Sequence, residues 1–117
     1  MTEKREVKVF LYDIYESIQR IEEYISSITE KEFEDNTEKQ DAVIRRLEII
    51  GEAAKNVPPE LRQKYAEVPW RKMTGMRDVV IHEYFGISAN AVWQTATTDL
   101  LKLKPQIEEI IKQLNYK

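Results

Sequence analysis

The chain contains no cysteine and a single histidine among 117 residues. Without cysteine there can be no disulfide staples, thiolate metal centres or cysteine nucleophiles, and a reducing cytoplasm is the expected setting. One histidine among scattered carboxylates is too little for a metal-ligand cluster, so no resident metal or cofactor is expected. Neither a leader segment nor an apolar run long enough to span a bilayer is visible, which points to a soluble protein with no membrane contact. Strand-like alternation, internal repeats and low-complexity linkers are missing too. Nor is there an excess of positive charge: 18 Lys and Arg stand against 21 Asp and Glu, a net charge of -3. Sequence-independent grip on nucleic acid leans on clustered basic residues, so any such binding here needs a local basic groove.

What is present is helical periodicity. Val7, Leu11, Ile14, Ile18, Ile21, Ile25 and Ile28 recur in alternating steps of four and three, a heptad stripe along one face of a long helix. It reads as core or as a surface for a partner. Thr29 with Glu32, and Thr37 with Gln40, have the spacing of capping boxes at helix starts. A second long helix is expected from about Glu38 to Asn56, with Val43, Leu47, Ile50 and Ala54 inward. Its small Gly51, Ala53 and Ala54 would permit close approach by a neighbour. Pro58-Pro59 ends that helix and opens a short one through about Lys64. Another begins near Trp70, and Phe85-Gly86 reads as its end. Ser88 is suited to cap a last helix with Val92, Ala96, Leu100, Leu103, Ile107, Ile110 and Leu114 inward, and Pro105 is placed to kink or divide it. The expectation is one all-α domain over residues 1–117, an up-and-down bundle of four main helices with one or two short extra ones. At 42% hydrophobic and 33% charged residues, such a chain is globular.

The chemistry gathers in Arg77-Asp78-Val79-Val80-Ile81-His82-Glu83-Tyr84. Histidine exchanges protons near neutral pH, and arginine presents a permanent cationic fork suited to a phosphate. Together they would suffice for phosphodiester cleavage without a metal. Spacing does not force this reading: on a straight helix Arg77 and His82 lie roughly 140° apart, and a lone histidine near a helix end is commonly a satisfied structural residue. Asp78 and His82 are i,i+4, so the carboxylate could orient the imidazole or form an ordinary surface pair. Arg45, Arg46 and Arg71, with Lys72 and Arg77, are the basic residues available to line a groove; as solvated helix faces they would need no function.

Pro69-Trp70-Arg71, Gly75-Met76-Arg77-Asp78 and His82-Glu83-Tyr84-Phe85-Gly86, together with Gln40 to Ala54, closely resemble the HepT toxins of the HEPN superfamily. The family signature of Arg, four residues, His, one residue, Tyr is met at every fixed position, and the likeness runs from about Tyr12 to Ile111. Asp78 stands where HepT members more often carry asparagine. The resemblance implies a ribonuclease site in a dimer cleft with Arg77 and His82 as the catalytic pair. It also implies a small nucleotidyltransferase antitoxin that uses ATP and Mg to place AMP on Tyr84, switching the toxin off. Arg45, Arg46 and Arg71 would then contact RNA and Asp78 would support His82. Because the chain has one histidine, a symmetric homodimer could supply the second proton handler. The alternatives are a catalytically silent bundle that docks the nucleotidyltransferase, and a pure dimerisation protein using the Val7 to Ile28 stripe. Nothing resembles the nucleotidyltransferase's own Gly-Ser and paired aspartates.

Overall fold

A computed structural model describes the backbone of residues 4–83 and 89–115 and the side chains of residues 6–76 and 89–115. Every regular element within them is helical. In chain order these are α1 (Lys4–Ile25), α2 (Glu30–Glu34), α3 (Thr37–Lys55), α4 (Pro59–Lys64), α5 (Trp70–Glu83), α6 (Ala89–Gln94) and α7 (Leu100–Asn115). A π-helical turn, Thr95–Asp99, joins α6 to α7 without a break. Four long helices and three short ones make the expected all-α bundle.

The heptad stripe of α1 is core. Val7, Leu11, Ile14, Ile18 and Ile21 are all buried, and Ile25 and Ile28 pack partly against the same cluster. Each fully buried aliphatic side chain contributes about 1.5–3 kcal/mol, so this face is consumed inside the chain and is not left for a partner. α1 lies between α3 and α7, and α3 lies between α1 and α5. Gly51, Ala53 and Ala54 are buried on α3, where their small side chains admit close neighbours. Across the α1–α7 seam Tyr15 donates to Glu108 Oε2 at 2.8 Å, and Lys104 Nζ meets Glu22 Oε1 at 2.8 Å. These bonds raise both the Tyr15 hydroxyl and the Lys104 ammonium above their ordinary pKa values, chiefly by hydrogen bonding to the carboxylates.

Local signals are obeyed with two departures. Thr29 and Glu32 form the expected capping box on α2: Thr29 Oγ1 accepts from Glu32 N at 3.1 Å, and Thr29 N donates to Glu32 Oε1 at 2.8 Å. Thr37 and Gln40 do not form one. Asn36 caps α3 instead, its Oδ1 accepting from Lys39 N at 2.9 Å, because Gln40 Nε2 donates back to the carbonyls of Phe33 and Glu34. Asn outranks Thr as a cap, and Gln40 serves better by closing the α2–α3 corner over buried Phe33. Asn36→Ala should therefore cost about 1 kcal/mol of stability, read as a lower urea midpoint at unchanged m-value.

The second departure is Pro105, which sits inside α7 without dividing it. The carbonyl deprived of its donor belongs to Leu101, an exposed residue where water can bond it. The irregularity of this long helix comes earlier. Val92, Ala96 and Leu100 are separated by two successive steps of four, which would walk off the buried face of a regular α-helix. The wider i→i+5 turn at Thr95–Asp99 absorbs that drift, and all three residues are buried. Phe85, Gly86 and Ser88, read from the sequence as helix stop and start, lie outside the described residues.

Candidate active site

The motif helix α5 is set by its first two turns. Pro69 accepts from Met73 N at 3.0 Å through its carbonyl, opening the helix, and Trp70 is buried with its indole N–H donating to Tyr65 O at 3.0 Å. Tyr65 is in turn hydrogen-bonded through its hydroxyl to Gln113 on α7. Met73 and Met76 are buried in the core, and α5 packs along α3. Lys72 Nζ reaches Asp99 Oδ1 at 3.0 Å, tying the helix to the π turn. That pair is too exposed to be worth more than about 1 kcal/mol, but it fixes the rotation of α5 from the side opposite Trp70.

With the start of the helix held, the positions that follow have a defined register. α5 continues unbroken to Glu83, so Arg77, Asp78 and His82 ride on one helix. At about 100° per residue, positions 71, 75, 78 and 82 fall within about 60° of each other and form one longitudinal stripe. Position 77 is about 40° from Met73 and about 140° from position 82, off that stripe. The side chains of Arg77, Asp78 and His82, and Tyr84 altogether, lie outside the described residues. The described half of the stripe faces open space. Arg71 is exposed, and a Cβ added to Gly75 would meet nothing within 4 Å.

The three other arginines read from the sequence are placed separately. Arg45 is exposed on α3, 3.9 Å from Glu48 Oε1, and lines a groove with Glu48, Glu52 and Asn56. Arg46 is half-buried and turns to α1, where its Nη1 approaches the buried Ser17 Oγ at 3.5 Å. Arg71 lies in a different groove, between α4 and α5, beside Arg62. Arg62 was not singled out by the sequence, since nothing in Pro59-Glu60-Leu61-Arg62 announces that α4 lines a groove with α5. Among the described residues no three His, Asp or Glu side chains gather where they could hold a metal ion, and no helix is long and apolar enough to cross a membrane.

The family model described as Ribonuclease HepT-like matches residues 14–110, spanning α1 to α7 and the whole motif. The chain belongs to the HepT-like ribonuclease family. A Methanocaldococcus jannaschii protein named "Putative RNase MJ1216" is 41% identical over 114 residues, covering 97% of this chain and 94% of that protein. The "Probable ribonuclease HepT" of Thermococcus cleftensis is 44% identical over 109 residues, covering 93% and 99%. A third relative, the Methanocaldococcus jannaschii protein named "Gamma-glutamylcyclotransferase and putative RNase MJ0434", is 46% identical over 112 residues, 96% of this chain. This chain spans only half of that longer protein. No solved structure gives a significant match. Ribonuclease activity is thus the activity for which the HepT-like family is named, and Arg77 and His82 lie on α5 within the matched residues.

Proposed function

We propose that this chain is the toxin of a toxin–antitoxin pair, an endoribonuclease that needs no metal and is silenced by AMP transfer to Tyr84 from a nucleotidyltransferase antitoxin. The supporting observation is that Arg77 and His82 sit on one uninterrupted helix in a chain of the HepT-like ribonuclease family. The RNA's own 2′-hydroxyl is the nucleophile. His82 takes its proton as the oxygen attacks phosphorus, and Arg77 balances the charge growing on the phosphorane oxygens. The 5′-oxygen leaves with a proton from the His82 of a second subunit, because one imidazole cannot be base and acid in the same step. The products are a 2′,3′-cyclic phosphate and a 5′-hydroxyl. A homodimer places two copies of the motif at one cleft, which suits a chain with a single histidine. Its setting is the cytoplasm, where RNA and the antitoxin's ATP and Mg are available.

The test is cleavage of a labelled single-stranded RNA by the purified chain in excess EDTA, with the product ends identified by mass. Cyclic phosphate and 5′-hydroxyl ends, formed at the same rate with and without EDTA, are expected. Cleavage that EDTA abolishes would overturn the metal-free mechanism. No cleavage under any condition, together with stable binding to the nucleotidyltransferase, would make the chain a silent docking module.

A further inference from the structure

Between α4 and the first turns of α5 runs an open groove of about 590 Å³. Arg62 and Arg71 line it, Gln63 and Thr74 add polar groups, and Pro59 and Val68 give it an apolar floor. No carboxylate lines it. In a chain with more acidic than basic residues this sets it apart from three other grooves among the described residues. The groove on α3 carries Glu48 and Glu52, that between α1 and α7 carries Glu22, and that beside Pro105 carries Glu67 and Glu109. Neither Arg62 nor Arg71 has an ion-pair partner among the described residues, whereas Arg20 and Arg45 do. Arg62 Nε is also buried with no hydrogen-bond partner among them. Two arginines without ion-pair partners among the described residues, in a groove that no carboxylate lines, suit an incoming anion.

The groove's position along α5 bears on what that anion is. Arg71 begins the stripe that runs through Gly75 and Asp78 to His82, eleven residues and about 16 Å further along the axis. That distance holds about four or five stacked nucleotides at about 3.4 Å each. We propose that the α4–α5 groove is a phosphate-binding subsite for single-stranded RNA, in which Arg62 and Arg71 hold the backbone several nucleotides from the cleaved bond. The planar guanidinium forks match phosphate oxygens. Pro59 and Val68 give a ribose or base an apolar surface, while Gln63 and Thr74 can bond its 2′-hydroxyl and edges. The subsite rests on the ribonuclease reading for its substrate. Net negative charge is then compatible with an RNA substrate, because the two arginines hold phosphates in a groove that no carboxylate lines.

The experiment measures binding of a labelled twelve-nucleotide single-stranded RNA to His82→Ala protein, which leaves the strand intact, and to the same protein carrying Arg62→Gln and Arg71→Gln. Binding about 10-fold or more weaker at low salt is expected, with the salt dependence of log Kd shallower by about 0.7 for each phosphate that is no longer neutralised. A charge-retaining Arg62→Lys, Arg71→Lys protein should keep the salt slope, and circular dichroism confirms that each variant is folded. With His82 present, cleavage of the twelve-mer should fall at least tenfold more than cleavage of a dinucleotide too short to reach the groove. Unchanged binding and slope, or equal losses on long and short substrates, would overturn the subsite. If the wild type cleaves neither RNA but the glutamine variants still bind the twelve-mer less tightly, the subsite stands and the ribonuclease reading falls.

Discussion

His82→Ala should lower RNA cleavage by about 10²–10⁴-fold, the usual range for loss of a general acid or base, while the protein stays folded. Alanine is the best helix former, and α5 is held by Trp70, Met73, Met76 and the Lys72–Asp99 pair, all upstream of the substitution. Thermal unfolding of the variant should therefore match that of the wild type, and its RNA affinity should persist, since the binding charge resides on arginines. Arg77→Lys should also be strongly impaired despite keeping its charge, because an ammonium cannot present two parallel donors to a phosphorane. The decisive comparison mixes His82→Ala protein with wild type. A mixed dimer of one His82→Ala subunit and one wild-type subunit offers a single histidine, so it should stay nearly inactive if both subunits' imidazoles act on one bond. Recovery of half the wild-type rate would show that each subunit cuts alone. Full activity of His82→Ala would remove histidine from the mechanism altogether.

The bundle was legible because its largest energetic term is written as periodicity. The α1 stripe from Val7 to Ile21 could be buried only as one helical face, and Pro59 and Trp70 open helices where their chemistry suggests. Capping was less legible at α3, where Asn36 and Thr37 are adjacent candidates and the outcome depends on Gln40 finding the α2 carbonyls. The π turn left a trace in the two successive four-residue steps from Val92 to Leu100, but its bond pattern follows from packing on neighbours that sequence spacing does not reveal. The motif residues were read from their order along the chain, and their side chains lie outside the described residues. The groove beside them was hidden because Arg62 and Arg71 lie on separate helices, and only the fold of α4 against α5 brings them to one channel.

Modification of Tyr84 should be the largest single effect on this protein short of removing its histidine. Incubation with the nucleotidyltransferase and Mg-ATP should add the mass of one or more AMP units to the wild type and none to Tyr84→Phe, with cleavage falling as the mass appears. Tyr84 follows the end of α5 by one residue and His82 by two. An adenylyl group attached there would bring a negative phosphodiester and a purine to within two residues of His82 in the chain. Repulsion between that charge and the RNA phosphates, and occupation of the cleft by the nucleotide, act in the same direction. The charge component is screened by salt while the steric component is not. Raising ionic strength should therefore restore little activity if the adenine fills the cleft, and much of it if charge dominates. Tyr84→Phe should cleave RNA at close to the wild-type rate and remain active in the presence of the antitoxin, because the substitution removes only the hydroxyl oxygen proposed to receive AMP. Tyr84→Phe protein that is inactive before any antitoxin is added would instead place the hydroxyl in the cleavage chemistry. A mass gain on Tyr84→Phe would move the modified residue elsewhere. A gain confined to the wild type with undiminished cleavage would leave Tyr84 modified but separate the modification from control of the nuclease.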